Sequence, residues 1–124
     1  MSEHSTQVAF AEWCKWNEAK HPELQLSFAV PNGGKRHVWT AMKLKAEGVR
    51  AGVLDWCLPV PIGGYNGLWI EFKFGKNKLT DEQEKYAKLL EQYGHCVAVC
   101  YTVDEAIRVT LEYLNPKHVI NYYP

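Results

Sequence analysis

The spacing of apolar positions changes several times along the chain, and each change predicts an element. Over residues 5–19, Phe10, Trp13 and Cys14 recur at helical spacing. Glu3, Gln7 and Asn17 share their face if the helix starts that early. His21-Pro22 ends it, because the residue before proline avoids helical geometry. Residues 24–30 alternate weakly and predict a short strand. Pro31-Asn32-Gly33-Gly34 predicts a turn, and residues 38–46 a short helix closed by Gly48. Residues 51–60 and 68–74 form two apolar runs about the turn-rich loop 61–67, the pattern of an antiparallel hairpin.

Thr80 then opens a helix as N-cap, with Gln83 three residues on, and Gly94 closes it. Residues 95–101 are an apolar strand. Thr102, followed by Glu105, caps a last helix reaching about Tyr113, and Pro116 marks its end. The tail to Pro124 is an added short strand or an arm. Strand-helix-strand from 68 to 101 predicts a parallel crossover. The fold class expected is therefore α/β: a single domain over 1–124 with a mixed central sheet flanked by helices.

Composition agrees with one packed domain. The chain has 124 residues, is 47% hydrophobic and carries five Trp and seven Tyr, enough for a core. No apolar run reaches the roughly 18 residues of a membrane span, and the first residues do not pattern as a secretory signal. A soluble cytoplasmic protein, with no membrane partner, is expected. Cys14, Cys57, Cys96 and Cys100 form no CxxC pair, so buried reduced thiols are expected in place of structural zinc. Formal net charge is zero, yet its distribution is uneven. Lys35, Arg36, Lys43, Lys45 and Arg50 face only Glu47 between 31 and 50, and Lys73, Lys76 and Lys78 form a second basic cluster.

Two charged residues break the apolar strand 68–74. Glu71 and Lys73, two apart, project from one face, where they cost desolvation energy unless something compensates them. An ion pair at a sheet edge is one explanation. Asp55, in the preceding strand between Val53-Leu54 and Trp56-Cys57-Leu58, favours another. If the two strands pair, Asp55 lies near Glu71, and two carboxylates in a low-dielectric site repel unless a cation bridges them. Oxygen ligands with open water positions suit Mg²⁺ or Mn²⁺, and a neighbouring lysine fits the activation of water and stabilisation of phosphate charge. Gln83 falls on the helix stripe of Leu79, Tyr86, Leu90 and Tyr93, expected to turn inward, and needs a partner there. A capping role with Thr80 is the alternative, and the two are compatible.

Asp55, then Glu71-Phe72-Lys73, then Gln83 in Leu79-Thr80-Asp81-Glu82-Gln83 resembles the PD-(D/E)XK nuclease core, in its VRR-NUC branch. The stretch from Gly48 to Asp55 (GVRAGVLD) is similar to the Val-Arg-Arg-Gly-x-Pro-Asp sequence that names the branch, and Pro31 to Arg36 (PNGGKR) is similar to stand-alone phage and bacterial members. Leu54 stands where the branch carries proline and Ala51 where it carries the second arginine. The first change should be tolerated, since proline shapes the approach to the aspartate; the second removes one phosphate contact, which Arg50 or Lys45 can supply.

The resemblance implies a restriction-endonuclease-like core and a metal-dependent endodeoxyribonuclease. Asp55, Glu71 and the main-chain carbonyl of Phe72 would bind Mg²⁺ or Mn²⁺. Lys73 would orient the attacking water, with Gln83 supporting the site and Glu3, rather than Glu12, as the first-helix acid. Lys35, Arg36, Lys45, Arg50, Lys76 and Lys78 would hold the DNA backbone. Stand-alone members resemble homodimers that cut branched DNA such as four-way (Holliday) junctions, and Tyr65, Tyr122 and Tyr123 are candidates for a dimer face or a packed tail. Competing expectations are a nickase or restriction-like nuclease on linear duplex, a non-catalytic nucleic-acid-binding module, and an interaction protein with a fortuitous ion pair.

Overall fold

Helix α1 (Glu3–Trp16) begins two residues earlier than its apolar spacing suggests, because Ser2 and Ser5 close a reciprocal capping box. It also ends earlier, at Asn17, whose amide donates to the Trp13 carbonyl at 2.8 Å. The early start carries Glu3 into the helix. The computed structural model describes residues 2–31 and 38–115. Thus the Pro31–Gly34 turn expected from the sequence falls largely outside the described residues, as do Lys35, Arg36, Tyr122 and Tyr123.

The strand expected over 24–30 is mostly not one. Pro22 sits in the first turn of a 3-10 helix (Pro22–Leu26), and only Phe28–Ala29 pairs as strand β1. Proline's fixed φ suits a helical start, and Leu24 is the buried anchor of that turn. Helix α2 (Val38–Ala46) has the expected bounds, with Gly48 at φ +103 behind it.

Strand β2 is Trp56–Leu58 and β3 is Leu68–Phe72. Both are shorter than their apolar runs, because Gly52 and Gly75, at φ +84 and +60, turn the backbone out of extended geometry. They pair antiparallel, with Trp56 opposite Ile70 and Leu58 opposite Leu68. Helix α3 (Asp81–Gln92) carries the chain to β4 (Cys96–Cys100), which runs parallel to β3 with Glu71 opposite Val99. Helix α4 (Val103–Leu114) follows. The mixed sheet has order β1-β2-β3-β4, in agreement with the expected fold class. Among the described residues, no helix is long and apolar enough to cross a membrane.

Strand alternation divides the interior. Trp56, Leu58, Leu68, Ile70, Phe72, Cys96, Ala98 and Cys100 pack with Phe10 and Cys14 of α1 and Ala106, Val109 and Tyr113 of α4. Leu54 and Val97 pack instead with Ala87 of α3, flanked by Trp69, Leu79 and Leu90. Tyr93, placed on the inward stripe of α3 by its spacing, is 69% exposed: it is the C-cap residue, where helical geometry has lapsed. Tyr65 is not a free surface aromatic, since its ring lies 6.2 Å from that of Tyr113 in the larger core.

Candidate active site

Glu71 near the end of β3 and Lys73 just beyond it lie on the α3-facing side, with Glu71 2% and Lys73 8% exposed. Alternation requires this: Ile70 and Phe72 enter the larger core, so their neighbours must face the other way. The Lys73 Nζ lies 3.7 Å from Glu71 Oε2. One lysine at that distance leaves the pair's remaining lone pairs and protons to be satisfied by other groups.

Asp55 lies just before β2, where the backbone bends, and not within the strand. The Val30 amide donates to its carbonyl at 2.8 Å, tying it to the end of β1. Its side chain and backbone are both laced to β3. The Phe72 amide donates to Asp55 Oδ2 at 2.9 Å, and the Asp55 amide donates to Glu71 Oε1 at 3.2 Å. The hairpin therefore brings the two carboxyls together, as the strand order predicts.

Gln83 fills both roles considered for it. Its Oε1 accepts from the Thr80 amide at 3.0 Å, closing the capping box, while its Nε2 donates to Glu71 Oε2 at 3.1 Å. One amide thus fixes the start of α3 and orients a buried carboxylate.

The site is short of positive charge. Burial and the neighbouring Asp55 carboxylate push the Glu71 carboxyl up to about 8, against the downward pull of Lys73. Asp55 is also raised, first by burial and further by Glu3, while the Phe72 amide and Lys73 act in the opposite sense. Burial and proximity thus disfavour ionisation of both carboxyls together, and a divalent cation would relieve the same repulsion. The donor set fits such a cation: two carboxylates, all oxygen, beside a lysine. Among the described residues, no group of three or more His, Cys, Asp or Glu side chains stands close enough to hold a metal. Glu3 is near enough to act on Asp55 electrostatically, whereas Glu12 is exposed. The Phe72 side chain is fully buried in the core, leaving only its main chain at the site.

Lys45, Arg50, Lys76 and Lys78 are exposed. Lys45 belongs to α2, against which no other described element packs. Sequence reasoning missed Gly52. At φ +84, its backbone passes so close to α3 that a Cβ would lie 2.8 Å from the Glu82 carbonyl oxygen. This contact docks the segment bearing Asp55 against the first turn bearing Gln83; a glycine ahead of the aspartate was its one visible signal. The backbone donors from Asp55 and Phe72 had none.

The VRR-NUC domain model matches residues 1–104. A solved structure named "VRR_NUC domain protein" superposes with a TM-score of 0.78 at 28% identity, covering 93% of this chain and 91% of that chain. Among curated proteins, none matches. The four-stranded mixed sheet is consistent with a restriction-endonuclease-like fold. With the match spanning all four strands and the Asp55-Glu71-Lys73-Gln83 cluster, this chain belongs to the VRR-NUC family and is a nuclease-type domain.

Proposed function

We propose that this protein is a metal-dependent, structure-selective endonuclease that hydrolyses phosphodiesters of branched DNA. The observation that carries the reading is the pairing of a half-buried Asp55 carboxyl with the buried, mutually repelling Glu71 carboxyl, and a buried lysine 3.7 Å from the latter. A structural ion pair explains Lys73 but not the second carboxylate. Asp55 and Glu71, with the Phe72 carbonyl, would hold Mg²⁺ or Mn²⁺, which supplies Lewis-acid stabilisation of the phosphate and activation of water. Lys73 donates to the attacking water or to a phosphoryl oxygen as negative charge develops. Gln83 keeps the Glu71 carboxylate in one orientation. Glu3 adds negative potential at the Asp55 side.

Exposed Lys45, Arg50, Lys76 and Lys78 bind backbone phosphates without reading sequence; Lys35 and Arg36 are assigned the same role. Contacts confined to phosphates favour recognition of DNA shape over base sequence. Paired incision of a four-way junction needs two sites and hence two copies, a state that light scattering tests directly.

The test is cleavage of labelled four-way junction, flap, linear duplex and single-stranded DNA in Mg²⁺, Mn²⁺ or EDTA, with Glu71→Gln and Lys73→Ala alongside. Symmetric cutting of the junction is expected, absent in EDTA and slowed by about a hundredfold to a thousandfold in each variant. Preferential cutting of linear duplex would retain the chemistry and replace the substrate. Tight, salt-sensitive binding without cleavage in either metal would make the chain a binding module.

A further inference from the structure

Directly after the buried Lys73, the chain puts a large aromatic into solvent. Phe74 is 49% exposed, and its Cα is one peptide, about 3.8 Å, from that of Lys73. Phe74 opens a tight turn over 74–77 in which the Asn77 amide donates to the Phe74 carbonyl at 3.1 Å. Gly75 supplies the φ of +60 at its second position, although a Cβ there would meet nothing within 4 Å. The glycine is thus required by backbone geometry, not by space. From outside, the Tyr101 hydroxyl donates to the Asn77 carbonyl at 2.8 Å, fastening the turn to the end of β4. Between Glu71 and Asp81 the charged residues are Lys73, Lys76 and Lys78, without an acid; Lys76 and Lys78 are exposed on the turn.

We propose that this turn is a subsite for one unpaired nucleobase: Phe74 presents its ring as a stacking face, and Lys76 and Lys78 hold the phosphates beside it. The inference rests on the reading of Asp55, Glu71 and Lys73 as a nuclease site, and it states what marks the substrate there. An exposed ring among cations is the combination that binds single-stranded nucleic acid, because every base has a face to stack and every nucleotide a phosphate to neutralise. The fastened turn fixes the backbone that carries the ring, so less conformational freedom is lost on binding. A base within a duplex is already stacked, and extracting it breaks that stacking and its pairing. Phe74 therefore favours DNA whose strands have already parted, as at a branch or fork. The exposed lysines two and four residues on argue against an apolar protein partner.

The experiment compares the full chain with Phe74→Ala, Phe74→Leu and Phe74→Tyr, each checked for an unchanged thermal melt. Dissociation constants are measured in EDTA on a forked duplex, a single strand and a fully paired duplex of equal length. Alanine and leucine should weaken fork and single-strand binding about tenfold, with duplex binding changed less than twofold, and tyrosine should preserve all three. Lys76→Ala and Lys78→Ala should weaken every form and reduce the salt dependence. Equal loss on fork and duplex, no loss on either, or full retention by leucine would each overturn the subsite. The same DNAs are then offered with Mg²⁺. If nothing is cut while the Phe74 pattern holds, the nuclease reading fails and the subsite stands. If cutting of the fork by Phe74→Ala keeps the wild-type rate and preference, the subsite fails and the nuclease reading stands.

Discussion

The two faces of the sheet do different work. Against α1 and α4 lies a continuous apolar core whose aromatic centre is Phe10, 5.2 Å from the Trp56 ring and 5.7 Å from the Phe72 ring. Against α3 the fully buried apolar residues are Leu54, Ala87 and Val97. Beside them, in place of further core, are Glu71, Lys73 and the Gln83 amide. Polar groups can be buried there because each has a partner: among the described residues, no buried side-chain nitrogen or oxygen lacks a hydrogen bond. The comparison teaches that one face supplies cohesion, which lets the other carry charges that would otherwise be destabilising.

The comparison breaks if cohesion is shared equally. Phe10→Ala removes the aromatic centre of the larger core and should cost about 3–5 kcal/mol. Tyr86→Ala removes a half-buried ring 6.2 Å from that of Trp69 on the α3 face and should cost about 1–2 kcal/mol. Urea unfolding with unchanged m-values measures both; equal losses would mean that the α3 face contributes as much cohesion as the other.

A narrower pair of variants separates the two functions of the α3 start. Thr80→Ala removes the acceptor for the Gln83 amide and should cost about 1 kcal/mol of stability, with cleavage within about twofold of wild type. Gln83→Ala removes the opposite half of the capping box and, in addition, the hydrogen bond to Glu71. It should lose a similar amount of stability but about 10- to 100-fold in metal affinity or rate. Parallel loss of rate in both variants would assign Gln83 to the cap alone.

The contrast between faces was partly legible in the sequence. A charged pair two apart in Leu68-Trp69-Ile70-Glu71-Phe72-Lys73 could only occupy one face, and the capping pattern of Thr80 and Gln83 located α3 to the residue. What was not legible came from main-chain geometry. The run after Pro22 has strand-like residues, yet a proline at the start of a helical turn and the side-chain bond from Ser27 to the Leu24 carbonyl, 2.7 Å, decided against a strand. Asp55 was assigned to a strand because its neighbours are apolar; its position in a bend depends on Gly52 reaching the α3 backbone, a contact thirty residues away in sequence. The surroundings of Tyr65 were illegible for a related reason. Tyr65 follows two glycines and looks solvated, but Tyr113, whose hydroxyl donates to the Val60 carbonyl at 2.6 Å, covers it from the far end of the chain.

The smallest predicted effect tests the same contrast through the cysteines, all four of which are free and buried. Cys14, Cys96 and Cys100 belong to the larger core, and burial pushes each thiol up to about 12. Cys57 alternates with Trp56 and Leu58 and so faces the opposite side of β2; burial raises it to about 11. Reaction requires the thiolate, whose fraction falls tenfold for each unit by which the pKa exceeds the pH. In the native fold at pH 8 all four should therefore alkylate slowly, with Cys57 ahead of the rest. If the α3 face is also the first to open, local unfolding widens that lead. Mass-resolved alkylation under native conditions gives the order directly. Cys14 or Cys100 reacting before Cys57 would show that the α1 and α4 face opens first, and the division of labour between the two faces would have to be reversed.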